Sequence, residues 1–142
     1  MQYRHTQIGY WMGAALVGLA AVIALRVQSL TIFGVMCLVT TLASALFGTL
    51  TVVVDETSVL VRFGPVSLLR ERIAVADVTH ARVVRNSPLY GWGMRYIPHG
   101  RLWNVWGLDA VELQLAGGRR FRIGTDEPQA LLQALRRAGV TA

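Results

Sequence analysis

Two stretches decide how this chain is read: Ile8–Leu25, IGYWMGAALVGLAAVIAL, and Leu30–Val54, LTIFGVMCLVTTLASALFGTLTVVV. Neither carries a charged side chain, and only Arg26-Val27-Gln28-Ser29 separates them. At ~1.5 Å per residue the first run reaches about 27 Å, against a hydrocarbon core of roughly 30 Å, and the second is longer. A linker this short joins antiparallel neighbours, so the expectation is a two-helix transmembrane hairpin within residues 8–50, with spans at about 8–25 and 30–48. Antiparallel pairing sets Gly9 and Gly13 at the depth of Ser44 and Gly48, and these small residues are the predicted helix-packing face. Arg4 and His5 beside the free amine, against Arg26 alone in the loop, favour a cytoplasmic location for both termini. The junction Leu25-Arg26-Val27-Gln28 lacks a small-x-small cleavage pattern, which argues against a removable signal peptide.

Outward from the hairpin, residues 1–7 read as an N-terminal tail and residues 51–142 as one β-rich domain. The net charge is +6, all 14 basic residues are Arg, and 12 of them follow the second apolar run, where they face 8 acidic residues. That excess is mild and carries no recognised aromatic-basic motif, so no nucleic-acid partner is expected. The single cysteine, Cys37, rules out an internal disulfide and a thiolate metal cluster. No metal and no cofactor is expected. His5, His80 and His99 show no ligand spacing, and Asp77, His80 and Ser87 are the only weak grounds for a hydrolase, so no catalytic residue is assigned and the chain is not expected to be an enzyme.

Within the domain, Thr49–Val54 and Val59–Phe63 are β-branched-rich strands around the polar turn Asp55-Glu56-Thr57-Ser58. Ser67–Arg72 and Val78–Arg85 are further candidates. Residues 110–115 and 119–123 alternate with period two about Ala116-Gly117-Gly118, the clearest hairpin in the chain. Asp126 reads as a helix N-cap with Gln129 three residues on and Pro128 in the first turn, so a helix is predicted over about 127–138. Arg120 and Arg122 share a strand face that reads as solvated.

Strands closed by one C-terminal helix give an α+β chain with the element order of a pleckstrin-homology-like (PH-like) domain, a bent antiparallel sheet or barrel capped by that helix. The strings Tyr90-Gly91-Trp92-Gly93-Met94-Arg95, Gly107–Leu113 and Gly118–Pro128 resemble a group of small bacterial membrane proteins, mostly of unknown function, with two N-terminal transmembrane helices before a PH-like domain. The resemblance implies a multi-pass protein of the bacterial inner membrane and supplies no catalytic residue. The segment Pro88–Gly107 concentrates aromatics and Arg on a glycine-shaped loop, the composition of binding hot spots. Its candidate binding residues are Tyr90, Trp92, Arg95, Tyr96, Arg101, Trp103 and Trp106, with core filling as the structural alternative. The functional expectation is a membrane-anchored binding or scaffold module, its partners the lipid bilayer and a protein or a second copy of the chain. A lipid-sensing module is the alternative and a membrane-bound hydrolase the third.

Overall fold

The computed structural model describes residues 2–142. Strand β1 (Tyr3–Ile8) leads into helices α1 (Tyr10–Val27) and α2 (Leu30–Phe47). Strands β2 (Thr49–Val54), β3 (Ser58–Phe63), β4 (Leu69–Ala74), β5 (Val78–Arg85), β6 (Gly93–Ile97), β7 (Gly100–Asn104), β8 (Asp109–Leu115) and β9 (Arg120–Gly124) follow, and α3 (Pro128–Arg137) ends the fold.

The strands form two sheets, one in the order β1-β2-β3-β4 and one in the order β5-β8-β9-β7-β6. Alternation drives their packing. Leu50, Val52 and Val54 share a face with Val59, Val61 and Phe63, and this face meets Trp103, Val111, Leu113, Phe121 and Ile123 of the other sheet. Phe63 lies 5.4 Å from Trp103 and Trp103 5.7 Å from Phe121, centroid to centroid. Helix α3 packs on β5 and β8 and adds Leu131, Ala134 and Leu135 to the same core.

This architecture corrects the PH-like expectation. The α+β class and the antiparallel sheets stand, but the strands make two separate sheets and no closed barrel, and β7 runs parallel to β9. Residues 88–107, read as a glycine-shaped loop, contain the hairpin β6–β7. Residues 3–7, read as tail, belong to β1, which pairs with β2 from Tyr3↔Val54 to Ile8↔Thr49. The helical arm is thus an excursion between two neighbouring strands, closed at its base by Gly9 N–H donating to the Gly48 carbonyl at 2.8 Å.

The two-span hairpin is corrected as well: Ile8 ends a strand and Gly9 caps a helix, so α1 begins at Tyr10, and its described apolar stretch is Gly13–Val27, about 22 Å long at 1.5 Å per residue against a ~30 Å core. Among the described residues one helix, Leu30–Phe47, has the length and composition to cross a membrane. Multi-pass insertion in an inner membrane with both termini cytoplasmic needed two spans and falls with the second one. A single helix of sufficient length is weak evidence, and it does not support the expected membrane-anchored or lipid-sensing function or the bilayer as partner.

Polar contacts close the side of the sandwich where β1 lies. Asp126, read as a helix cap, has its carboxylate 2.6 Å from His5 Nε2, while the α3 N-cap is Glu127 and makes no side-chain cap. The Tyr3 hydroxyl donates to Glu127 at 3.4 Å. Burial, then the adjacent Glu127 charge, raises the Tyr3 phenol from 10.0 to about 12. Because the folded value is the higher, the stability linked to Tyr3 is fully present below pH 10 and is lost as pH rises towards about 12. Tyr3→Phe is expected to flatten that alkaline loss in a series of unfolding midpoints between pH 9 and 12, and an unchanged slope would refute the linkage.

Candidate functional site

The segment 86–107 is organised by a buried asparagine. Asn104 accepts from the Trp106 amide at 3.2 Å and donates to the Gly107 carbonyl at 2.9 Å, which holds the turn after β7. Gln7 of β1, also buried, donates to the Trp106 carbonyl at 3.0 Å. Before β6, Gly91 and Gly93 adopt φ +67° and +94°, which L side chains rarely reach, and the chain folds back on itself. Arg95 Nε donates to the Trp92 carbonyl across that bend at 3.1 Å.

These restraints build a three-tryptophan ladder. Trp92 stacks on Trp106 at 5.3 Å and 14°, and Trp106 stacks on Trp11 of α1 at 6.2 Å and 29°. Beside the ladder an apolar pocket of about 280 Å³ is lined by Leu16 and Ala43, by Phe47 at the arm's base, and by Trp92, Met94 and Arg95. Trp11, Gln7 and Asn104 were not among the sequence candidates. Nothing local in the sequence links Trp11 to residues almost a hundred positions away; strand β1 makes that contact.

The candidate residues therefore separate. Trp92, Trp106 and Arg95 meet at the ladder, and Tyr90 lies on the turn just before it. Trp103 is core. Tyr96, 90% exposed, and Arg101 line a different groove of about 600 Å³ with His99, Arg119, Arg120 and Phe121. Arg101 spans the two sheets, donating to Glu71 at 2.6 Å and lying 5.3 Å over the Phe121 ring. At the arm's base Gly9 packs on Val105 and Gly48, and a Cβ on Gly13 would lie 3.9 Å from Ser44 Oγ.

Substitutions should report this separation. Trp103→Ala is expected to cost about 3–5 kcal/mol as a core cavity, whereas Trp92→Ala loses a half-exposed stack worth about 1 kcal/mol. Denaturant unfolding of both variants is the measurement. Equal losses would mean that the ladder is structural core.

A second cluster lies on the other face of the five-stranded sheet. The register aligns Arg82, Glu112 and Arg122 across β5, β8 and β9. Glu112, fully buried, accepts from Arg82 Nη2 at 2.7 Å and from Arg122 Nε at 2.7 Å, with Arg120 Nη1 at 3.8 Å. Arg122 also donates to Asn86 at 3.2 Å. This corrects the solvated-face expectation for Arg122, which is only 8% exposed. Burial pushes the Glu112 carboxyl up, but the hydrogen bonds and charges of Arg122 and Arg82 outweigh it and hold the group below the usual carboxylate range.

No protein-family model matches the chain, and no curated protein matches it. With no matching family and a fold that departs from the PH-like arrangement, the resemblance to the bacterial two-helix PH-like membrane proteins does not hold.

Proposed function

We propose that this protein is a protein-interaction module that pairs with a second copy of itself through the open face of its α1–α2 arm. The observation that carries this reading is surface the fold leaves unused. The chain exposes 8295 Å² at a mass of 15.6 kDa. A compact monomer of that mass exposes about 7,250 Å². The excess of roughly 1,000 Å² matches what one partner buries in a standard interface.

That surface lies on the arm. Helix α2 has no buried residue, and Val17, Leu25, Leu30, Phe33, Leu38 and Leu42 stand exposed. The two helices frame an apolar groove of about 230 Å³ lined by Val17, Ala20, Ala21, Phe33, Cys37, Thr40 and Thr41. A charged partner would strand its ions against such a face. The arm of another copy offers the matching apolar ridge and groove, and a two-fold pair buries both at once. Gly18 and Gly34 face open space, where a Cβ meets nothing within 4 Å, and leave notches for a second backbone. At the base of the arm, the tryptophan ladder and the pocket beside it supply rigid aromatic anchors next to Arg95, the composition of a protein-contact hot spot.

Cys37, exposed in the groove, tests the pairing directly. A disulfide forms only when the two Cα atoms come within about 7 Å. Oxidation with copper phenanthroline is expected to trap a species of twice the monomer mass that reductant reverses and Cys37→Ser abolishes. A chain that stays monomeric in the same oxidant would move the interface away from this groove.

A further inference from the structure

The outer face of the four-stranded sheet presents exposed arginines, and among the described residues its charge is unbalanced. The register puts Arg4 of β1, Arg62 of β3, and Arg70 and Arg72 of β4 on that one face. Every other position on it is Thr, Ser, Val, Leu, Ile or Ala, so the face holds no carboxylate of its own. Arg62 stands directly opposite Arg70, a like-charged cross-strand pair that disfavours the sheet until a counter-charge arrives. Glu71, between Arg70 and Arg72 in sequence, points to the opposite face and is engaged by Arg101, so it neutralises neither. A cavity of about 480 Å³ opens beside Leu60, Arg70 and Arg72.

The same arginines sit on an open edge. Strand β4 ends its sheet, and the Val75 amide donates to the Thr57 carbonyl at 2.9 Å. In an antiparallel ladder bonded pairs alternate, so Ile73, Glu71 and Leu69 turn their main-chain groups to β3. The N–H and C=O of Arg70 and Arg72 therefore point outward. Basic residues on an edge also discourage unwanted pairing. That role accounts for Arg70 and Arg72 but not for Arg62, which lies on an interior strand and donates to the neutral Ser67 hydroxyl at 3.0 Å, so its charge stays unbalanced.

We propose that the β4 edge binds an acidic, extended segment of a protein partner, added as a fifth strand, with carboxylates at alternate positions opposite Arg70 and Arg72. Residues two apart on a strand are separated by about 6.8 Å, which is both the spacing of these arginines and that of alternate acids on an incoming strand. Main-chain bonds would hold the segment and the charges would choose it. This proposal is independent of how the arm pairs.

The test uses the full chain and three fluorescent probes: a strand-forming peptide alternating Glu with Val and Thr, its Gln counterpart, and a single-stranded oligonucleotide of equal charge. Anisotropy titrations are expected to show the Glu peptide binding at least tenfold tighter than the Gln peptide and tighter than the oligonucleotide. Arg70→Gln/Arg72→Gln, both exposed positions, is expected to lose about tenfold, as the loss of two surface ion pairs implies. Hydrogen exchange at the Arg70 and Arg72 amides is expected to slow when the Glu peptide binds. Equal affinity for the Glu and Gln peptides, a preference for the oligonucleotide, unchanged binding by the double variant, or amides that exchange at the same rate would each overturn the proposal.

Discussion

Glu112→Ala is expected to lower the stability of the fold by about 3–5 kcal/mol, because it leaves buried Arg122 without its counter-charge. That is a large share of the 5–15 kcal/mol typical of a domain, so much of the variant should be unfolded under mild conditions. The pair itself is not expected to be worth so much. Glu112→Leu/Arg122→Leu removes both buried charges, lets half-exposed Arg82 and Arg120 turn to solvent, and should recover most of the loss. Acid gives a second readout. The Glu112 carboxyl is held low in the folded state, so its contribution is present above the ordinary carboxylate value and lost as pH falls through the lower folded one. Urea unfolding of the single and double variants between pH 3 and 7 measures both effects. A double variant as unstable as Glu112→Ala would mean that the cluster stabilises in its own right and not merely by mutual compensation.

Ala21→Arg is expected to dissociate the pair of chains while leaving each chain folded. Ala21 is exposed on α1 and lines the groove, so in the lone chain an arginine there reaches water and suits a helix. In the pair it would be buried against apolar side chains with no carboxylate in either helix. A cost of at least ~3 kcal/mol corresponds to more than a hundredfold weaker association. Gln129→Arg, an exposed site in the first turn of α3, changes the net charge equally and should leave association intact. Equal weakening by both substitutions would point to general charge repulsion instead of a specific groove.

Two kinds of strand were legible in the sequence. Thr49–Val54 is β2 as read, because its β-branched residues favour the pleated backbone, and the hairpin about Ala116-Gly117-Gly118 falls within a residue of its expected bounds, because period-two hydrophobicity records a half-buried sheet directly. Strand β1 was not legible. Its inward positions are Tyr3, His5 and Gln7, which are satisfied by Glu127, Asp126 and the Trp106 carbonyl, so it carries no apolar period, and its partner β2 lies beyond the whole helical arm. Missing β1 in turn made Ile8 and Gly9 look like part of a spanning run. The site was legible in composition and not in geometry. An aromatic, Arg-rich segment marks Trp92, Arg95 and Trp106, but only the alternation of β7 sends Trp103 and Arg101 to the face opposite Leu102. Arg122 sits at a position that reads as solvent-facing, and its burial with Glu112 depends on what lies over the far face of the sheet.

The most direct measurement of the central claim is the mass of the full chain in solution by light scattering over a range of concentrations. Self-pairing through the arm predicts a species of twice 15.6 kDa that Ala21→Arg converts to a single chain of unchanged fold. A wild-type chain that remains at 15.6 kDa across the range would contradict it.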